Sequence, residues 1–416
     1  MLIFYSLALL LVLVAGAPYW LFRMVTSGKY REGLSERLGF VPRRLRIGER
    51  VIWVHAVSVG EVLAASRLIE ELDERSGCRV MISTTTRTGQ RLARERFGAD
   101  RVFYFPLDFG FAVRAYLRAL CPRMVVLLET EFWPRMLMEC RRDGIPVAVV
   151  NARISDRSWP RYFQLRFLWR RILNGFALAL AQSELDAERL TALGASNVRL
   201  GGNLKYDIRV AKPAAVTEVL RAQLPDGVKV VVCGSTLEGE EELLAKSLPP
   251  DVVTILAPRH PERFDSVAAM LAGRGSRFVR RSQWMASPMP LSAGAFFLLD
   301  SIGELASVYS LASVAVVGGG LFGGGGHNPL EPAQFGLPVV TGAHYENFRG
   351  IVEKLRAENA IVVVEPSALA KALSDLLSDQ NAARSMGSRA RAIFESEAGA
   401  TERAVTALTA VLEERV

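Results

Sequence analysis

The sequence has few cysteines, and their spacing matches neither a metal-binding nor a disulfide pattern. There are four, with no CxxC spacing among them: Cys78, Cys121, Cys140 and Cys233. Neither a disulfide framework nor a cysteine zinc site is therefore predicted, and buried free thiols are expected. Disorder and collagen-like repeats are excluded by 50% apolar and 23% charged residues. At roughly 150 residues per domain, the 416 residues predict two or three domains.

Residues 1–22 contain no charged side chain at all. As a helix they would extend about 33 Å, enough to cross a bilayer core of about 30 Å. Tyr19 and Trp20, near the end of the run, favour a membrane interface. A cleaved secretory signal is the alternative, with Ala-Gly-Ala at 15–17 as a weak cleavage site, but no basic residue precedes the run. An uncleaved membrane anchor over 1–22 is predicted.

The positive charge is concentrated directly after this run. The net charge of the chain is +8, and residues 23–50, with eight basic and three acidic residues, supply +5 of it. A nearly neutral remainder argues against nucleic-acid binding. The positive-inside rule places the chain after residue 22 in the cytoplasm, on the inner membrane, and the basic collar is expected to attract anionic lipid head groups. The collar comprises Arg23, Lys29, Arg31, Arg37, Arg43, Arg44 and Arg46.

Short apolar runs alternate with amphipathic ones along the rest of the chain. One series runs from 50–57 to 198–202 and a second from 228–234 to 360–365, with a plausible linker between Lys205 and Val228. Such alternation predicts an α/β protein with parallel sheets, here two Rossmann-like domains facing a cleft. The predicted domains are 1–22 (anchor), 23–205 and 206–416. Ligands are expected outside the carboxyl ends of the strands.

Three charged residues of the first series follow predicted strands or lead into the linker. Glu61 of HAVSVGE lies at a helix N-terminus, where it suits general-base work, although it could simply stabilise its own helix. Glu129 of ETEFWP directly follows a buried strand and is the better cleft candidate, while Glu131 suits a helix cap. Lys205 of GNLKYD would lie between the domains, unless it is an ordinary solvated lysine.

The glycine-rich loop of the second series is the strongest feature for phosphate binding. Seven glycines between 318 and 326 follow a buried strand, and Asn328 and Pro329 suit an N-cap and a first helical residue. A helix start facing this loop would favour a phosphate, and Glu331 could accept bonds from ribose hydroxyls. The loop is neither a P-loop nor a dinucleotide fingerprint. Arg259, in APRHPER, offers a planar fork for phosphate or carboxylate.

Eight motifs occur in an order that resembles the bacterial 3-deoxy-D-manno-octulosonic acid (Kdo) transferases of lipopolysaccharide synthesis. They are HAVSVGE, ETEFWP, NARIS, GNLKYD, ST-x-x-GEE, APRHPER, IGEL and GGHNPLEPA. The resemblance implies a GT-B glycosyltransferase that moves Kdo from CMP-Kdo to a lipid A precursor (lipid IVA) in the membrane. It implies inversion of the anomeric centre, with no bound metal and no cofactor other than the donor substrate.

The same resemblance assigns roles to residues. It makes Glu61 the general base, and Glu129 and Lys205 transition-state stabilisers. The CMP contacts that it implies are Pro258, Arg259, Ile302, Gly303, Glu304, Asn328, Pro329, Leu330 and Glu331. Leu237 and Gly320 depart from the His and Ser common in the family. Two rivals remain: a GT-B enzyme using another nucleotide sugar such as a UDP-sugar, and a membrane-anchored nucleotide-binding module without catalysis.

Overall fold

The computed structural model describes residues 2–27, 31–46, 48–209 and 213–414. Lys29 of the basic collar and Lys212 of the predicted linker lie outside these ranges. The chain divides into two compact units. Unit 1 comprises Met1–Ile208 with Glu397–Val416, and unit 2 comprises Arg209–Ser396.

Unit 1 begins with the apolar helix α1 (Leu2–Ser27) and then alternates strands with helices. Its strands are β1 (Val51–His55), β2 (Arg79–Thr84), β3 (Val102–Tyr104), β4 (Pro122–Leu128), β5 (Val147–Ala152), β6 (Phe176–Ala181) and β7 (Val198–Leu200). The further helices are α2 (Leu34–Arg37), α3 (Val59–Arg75), α4 (Arg87–Phe97), α5 (Gly110–Leu120), α6 (Pro134–Arg142), α7 (Trp159–Gln164), α8 (Arg166–Leu173) and α9 (Glu184–Ala192), with 3-10 turns at Arg43–Leu45 and Leu204–Asp207.

Unit 2 has the same kind of alternation. Its strands are β8 (Lys229–Thr236), β9 (Val252–Pro258), β10 (Phe278–Arg280), β11 (Phe296–Leu298), β12 (Val314–Val317), β13 (Val339–Gly342) and β14 (Val362–Val364). Its helices are α10 (Ala215–Gln223), α11 (Glu240–Ser247), α12 (Phe264–Gly273), α13 (Arg281–Trp284), α14 (Leu305–Val308), α15 (Leu330–Ala333), α16 (Arg349–Ala357), α17 (Leu369–Ser378) and α18 (Gln380–Ser396); 3-10 turns lie at Pro261–Arg263, Tyr309–Leu311, Glu346–Phe348 and Pro366–Ala368.

Each unit contains a parallel seven-stranded sheet covered on both faces. The strand orders are β3-β2-β1-β4-β5-β6-β7 and β10-β11-β9-β8-β12-β13-β14. Because successive side chains point to opposite faces, β1 contributes Val51 and Trp53 to one core and Ile52 and Val54 to the other. This doubly wound architecture confirms the predicted α/β fold of two Rossmann-like domains. The three-residue edge strands β3 and β10 were not predicted, because each is too short for a distinct pattern.

The C-terminal end departs from the predicted domains. Helix α19 (Ala400–Glu413) belongs to unit 1, whereas the predicted C-terminal domain includes all residues from 206 onward. The reason is burial: Ala404, Val405 and Leu408 lie in the same apolar core as β1 and α3. Asp207 fixes the start of this helix, since its carboxylate accepts bonds from the backbone N–H groups of Gly399 and Thr401.

The basic collar is partly used inside unit 1. Arg44 pairs with the Glu36 carboxylate at 2.9 Å and also donates to the carbonyls of Ala99 and Val102. Arg37 donates to the Thr85 carbonyl and stacks on a tyrosine ring. These two arginines therefore hold the fold together, and the expectation that the whole collar faces lipid head groups is too broad.

The cysteines follow the expectation of free thiols. Cys78, Cys140 and Cys233 are buried, Cys121 is exposed, and all four are unpaired. One helix among the described residues is long and apolar enough to cross a membrane, over Phe4–Thr26.

Candidate active site

The sheet topology brings two predicted carboxylates to one edge of unit 1. Strand order reverses at the neighbouring strands β1 and β4, and ligands in open α/β sheets bind outside the carboxyl ends at such a point. Glu61 follows β1 in the first turn of α3, and Glu129 directly follows β4. Glu129 lies close enough to Glu61 to raise its pKa.

The Glu61 carboxylate is held in place by its own helix start. Ser58 is the N-cap of α3; its hydroxyl donates to Glu61 Oε1 at 2.9 Å, and the Val57 N–H donates to Oε2 at 2.8 Å. The S-x-x-E spacing of a capping box explains this geometry. Glu61 therefore stabilises the start of its own helix, as one of its two predicted roles requires. The same hydrogen bonds fix its carboxylate in one orientation.

The environment of Glu61 favours its protonated form. Burial raises its pKa to about 7, and the nearby charges of Glu129 and Glu131 add to this, while the bonds from Val57 and Ser58 act against it. Burial also raises the pKa of Glu131, and Glu129 contributes. A carboxylate that titrates near neutrality can accept a proton efficiently at physiological pH.

Lys205 reaches the same cluster. Its Nζ lies 3.9 Å from Oε1 of Glu129, and both side chains are only partly exposed. Glu129 has a positive φ of 53°, an uncommon backbone conformation for a residue other than glycine. All three predicted residues of unit 1 therefore meet at one place.

Two asparagines hold the loop that carries Lys205. Asn203 caps its 3-10 turn, with Oδ1 accepting the Lys205 N–H at 3.0 Å. Asn151, buried at the end of β5 with φ 58°, accepts the Leu204 N–H at 3.1 Å. Both asparagines belong to motifs noted in the sequence, NARIS and GNLKYD, but neither is predicted there to act in the site. The signal was available in part, since Asn tolerates the left-handed conformation and caps turns.

The predicted cap at Glu131 is taken by another residue. Asp108, from the loop before α5, accepts the backbone N–H groups of Arg135 and Met136 at 2.8 Å each, in the first turn of α6. This acid is 26 positions before the helix, so no local pattern could indicate it.

In unit 2 the sheet again reverses order between neighbouring strands, here β8 and β12. Glu240, the first residue of α11, is buried and joins the two strand ends. Its Oε2 accepts the N–H groups of Leu237 and Gly319 at 2.8 Å each, and its Oε1 accepts that of Leu321 at 3.0 Å. The first glutamate of the GEE motif therefore fixes the start of the glycine-rich loop.

The glycines of this loop are required by its backbone. Gly323, Gly324, Gly325 and Gly326 have consecutive φ values of 106°, 110°, 80° and 74°, which side chains rarely allow. Leu237 lies over Gly324, so one of the two family departures contacts the loop directly. At Gly320 a Cβ would come within 3.1 Å of the Gly342 backbone, which leaves little space for a larger residue.

Arg259, His327, Asn328 and Glu331 come together in unit 2. Burial raises the pKa of Glu331, while the Arg259 charge and a hydrogen bond from Asn328 oppose the rise. Burial and the Arg259 charge lower the pKa of His327 to about 4, so its imidazole is neutral. The exposed Arg259 follows β9 directly. One exposed cation, a neutral imidazole and a carboxyl group can bind a phosphate together with ribose hydroxyls.

The remaining predicted CMP contacts differ in what they can offer. Ile302 and Gly303 are exposed in the loop after β11, the strand beside β9. Glu304 pairs with Arg281 at 2.7 Å. Pro258 is buried at the end of β9.

The predicted helix after Asn328 is only one turn, Leu330–Ala333. Its N-cap is Pro329 and not Asn328 as predicted, although Asn328 Oδ1 accepts the Leu330 N–H at 3.1 Å. A single turn carries little dipole, so the expectation of a strong helix N-terminus for a phosphate is wrong. Pro329 and Leu330 are buried, which makes them part of the scaffold of this turn.

Sequence comparison assigns both halves of the chain. Residues 32–208 match the family described as 3-Deoxy-D-manno-octulosonic-acid transferase (kdotransferase), and residues 250–393 match glycosyl transferases group 1. The solved structure of MurG from Acinetobacter baumannii is 13% identical, with a TM-score of 0.53, over 86% of this chain and 97% of that one. That likeness concerns the fold, and together with the group 1 match it confirms the predicted GT-B class.

Two characterised relatives cover nearly the whole chain. The 3-deoxy-D-manno-octulosonic acid transferase of Haemophilus influenzae is 33% identical over 94% of both chains. That of Bordetella pertussis is 35% identical over 89% of this chain and 91% of its own. The chain belongs to the 3-deoxy-D-manno-octulosonic acid transferase family, and it is a glycosyltransferase that transfers Kdo in lipopolysaccharide synthesis.

Proposed function

We propose that this enzyme transfers Kdo from CMP-Kdo to a lipid A precursor (lipid IVA), with inversion of the anomeric centre and without a metal. The observation that carries the proposal is the Glu61 carboxylate, fixed by Ser58 and Val57, with a pKa of about 7, beside Glu129 and Lys205. A group of this kind suits the removal of a proton from an attacking hydroxyl.

Glu61 accepts the proton of the acceptor hydroxyl as its oxygen bonds to the anomeric carbon of Kdo. The bond from that carbon to the CMP phosphate oxygen breaks in the same displacement, and its electron pair leaves with CMP. Attack opposite to the leaving group inverts the centre. Charge that develops near Glu61 is stabilised in unit 1 by the fixed groups Lys205 and Glu129 rather than by a metal.

Unit 2 binds the nucleotide in this proposal. Arg259 pairs with the donor phosphate. Glu331 and Asn328 form hydrogen bonds with the ribose hydroxyls. Gly303 and Ile302, which are exposed, leave space for the base to approach the backbone. Because the Glu304 carboxylate already pairs with Arg281, it does not form an ion pair with the ligand.

We further propose that α1 anchors the enzyme to the inner membrane as a single span, with both units on the cytoplasmic side. Its length and uncharged sequence over Phe4–Thr26 support this. Chemical labelling of Tyr5→Cys, in a chain with Cys121→Ser, from outside sealed inverted and right-side-out vesicles tests the span and its direction.

The decisive experiment is an assay of the purified full chain with CMP-Kdo and lipid IVA. Mass spectrometry of the product counts the Kdo units added, and NMR of the new linkage gives its anomeric configuration. Activity should persist in excess EDTA. Retention of configuration, dependence on a divalent metal, or preference for a UDP-sugar over CMP-Kdo would each overturn the corresponding part of the proposal.

A matched pair of variants assigns the base. Glu61→Gln should lower kcat by roughly 10²–10⁴-fold while CMP binding is retained. Glu74→Gln, an exposed glutamate on the same helix, should be neutral. Near-normal turnover of Glu61→Gln would show that another group takes the proton.

A further inference from the structure

Residues 153–171 of unit 1 are strongly basic. This stretch contains six arginines and one acidic residue, Asp156. Asp156 pairs with Arg189 at 2.6 Å, outside the stretch. The formal net charge of the stretch is +5.

Helices α7 and α8 give this stretch two different faces. Tyr162 and Trp169 point inward, with ring centroids 6.2 and 6.1 Å from that of Phe132. Ile172 and Leu173 are buried below them. The opposite side of α8 carries Arg166, Phe167, Arg170 and Arg171, which all are exposed; their i, i+1, i+4, i+5 spacing is that of one helical face.

Apolar and cationic groups are mixed on the outer face. Phe163 is 41% and Phe167 is 64% exposed, and the Arg166 guanidinium lies 4.6 Å from the Phe163 ring centroid. Among the described residues, no carboxylate forms an ion pair with Arg161, Arg166, Arg170 or Arg171. This distinguishes them from Arg37 and Arg44 of the collar, which bind within unit 1.

We infer that the α7–α8 surface, defined by Arg161, Phe163, Arg166, Phe167, Arg170 and Arg171, docks onto the anionic surface of a lipid bilayer. Exposed aromatic rings that enter the head-group boundary, flanked by cations that pair with lipid phosphates, are the pattern of interfacial membrane helices. Each arginine near an anionic surface adds to the electrostatic attraction. Large exposed apolar patches on a protein surface commonly mark an interaction site.

The position of this surface gives it a consequence for catalysis. The inward face of α7–α8 packs on Phe132, three residues after Glu129, and Tyr162 is close enough to Glu131 for that charge to raise its pKa. A bilayer against the outer face would therefore lie beside the candidate base and its partners. The docking inference rests on the proposed function only in taking a membrane lipid as the acceptor.

The test uses the full chain with one reporter cysteine. Cys121, the exposed native thiol, is replaced by Ser, and Phe167→Cys is labelled with bimane. The protein is reconstituted into nanodiscs of phosphatidylcholine with or without 30% phosphatidylglycerol, each with and without a lipid carrying a spin label near its head group. We expect at least a twofold loss of fluorescence from the spin label in anionic nanodiscs and a smaller loss in neutral ones. Met289→Cys, an exposed apolar position of unit 2, is the control and should not be quenched.

Arginine replacement separates docking from anchoring by α1. The combined Arg166→Gln, Arg170→Gln and Arg171→Gln variant remains anchored, yet should lose most of the quenching at position 167. Its KM for the lipid acceptor should rise severalfold, while its KM for CMP-Kdo stays the same. Equal quenching in neutral and anionic nanodiscs, or quenching that survives the arginine replacement, would overturn the inference.

The two proposals fail in different ways. Quenching is measured without either substrate, so an enzyme that docks but does not transfer Kdo to lipid IVA refutes the proposed function alone. Normal Kdo transfer without quenching at position 167 refutes the docking surface alone. Absence of quenching with lipid, together with a change in bimane fluorescence when a protein or nucleic acid is added, would overturn the inference and assign the surface to that other partner.

Discussion

The Nζ of Lys205 lies 3.9 Å from Oε1 of Glu129, and each residue depends on an uncommon backbone position to be there. Glu129 itself has a positive φ, and the loop of Lys205 is held by Asn151, which has one too. Residues other than glycine adopt this region rarely, and such strain is concentrated at functional sites. The pair is therefore a positioned feature of unit 1 rather than an incidental surface contact.

If Lys205 and Glu129 act together, the effects of removing each of them on kcat/KM should not be additive. Lys205→Met and Glu129→Gln are each expected to lower kcat/KM by roughly 10²-fold, because each removes charge that is fixed near the reacting atoms. The double variant should be little worse than either single one. Steady-state transfer kinetics provide the test, with Lys246→Met, an exposed lysine of α11, as the control. Effects that multiply in the double variant would show that the two residues act independently.

The raised pKa of Glu61 sets the pH dependence of transfer. A general base works when it is ionised, so kcat/KM should rise with pH and level off above about 7. Titration of His55 and His327 does not contribute to this rise of kcat/KM with pH, because burial lowers their pKa values to about 3 and about 4. The Glu61→Gln variant should keep its residual activity but lose the limb. A wild-type rate that is flat between pH 5.5 and 8 would contradict the assignment.

The residues that the sequence predicts best are those placed by local rules. Glu61 follows a buried strand and shares a capping box with Ser58, so its site at a strand end is readable from seven consecutive residues. Glu129 and Arg259 likewise follow the apolar runs of β4 and β9. The parallel alternation then brings such strand ends to one edge of each sheet.

Long-range contacts account for what the sequence did not predict. Asp108 caps α6 from 26 positions away, and Asp207 caps α19 from 192 positions away. Helix α15 is a single turn, and it begins one residue later than expected, with Pro329 at the N-cap and Leu330 as the first helical residue. For Asp108 and Asp207 the deciding partner is supplied by tertiary structure, and no periodicity within a window of residues carries that information.

Glu240 offers a prediction about donor binding. Its carboxylate accepts three backbone N–H groups around the glycine-rich loop, and Gln at this position can satisfy at most part of them with its single oxygen. Glu240→Gln should therefore weaken CMP binding by about tenfold or more, since each unsatisfied buried group costs roughly 1–3 kcal/mol.

The measurement is CMP affinity by calorimetry on the full chain. Glu242→Gln, two residues along the same helix and exposed beside Lys246, is the matched control and should bind CMP normally. The Glu240 variant should also keep the fold of unit 1, which is followed by hydrogen exchange in β1 and β4. Unchanged CMP affinity would mean that the loop holds its conformation without this carboxylate.

Because the chain returns to unit 1 at α19, a substitution near the C-terminus is expected to destabilise unit 1. Leu408 is fully buried in the core formed with α3 and β1, so Leu408→Ala should destabilise unit 1 by about 2–5 kcal/mol. Protection against hydrogen exchange should fall in β1, β4 and β6, because α19 packs on α3 and β6 and the core is shared. Protection in β8, β9 and β12 should not change. Leu373→Ala, an equally buried position in the core of unit 2, should show the opposite distribution. If Leu408→Ala instead lowered protection in the strands of unit 2, the C-terminal helix would belong with the domain to which its sequence position alone assigns it.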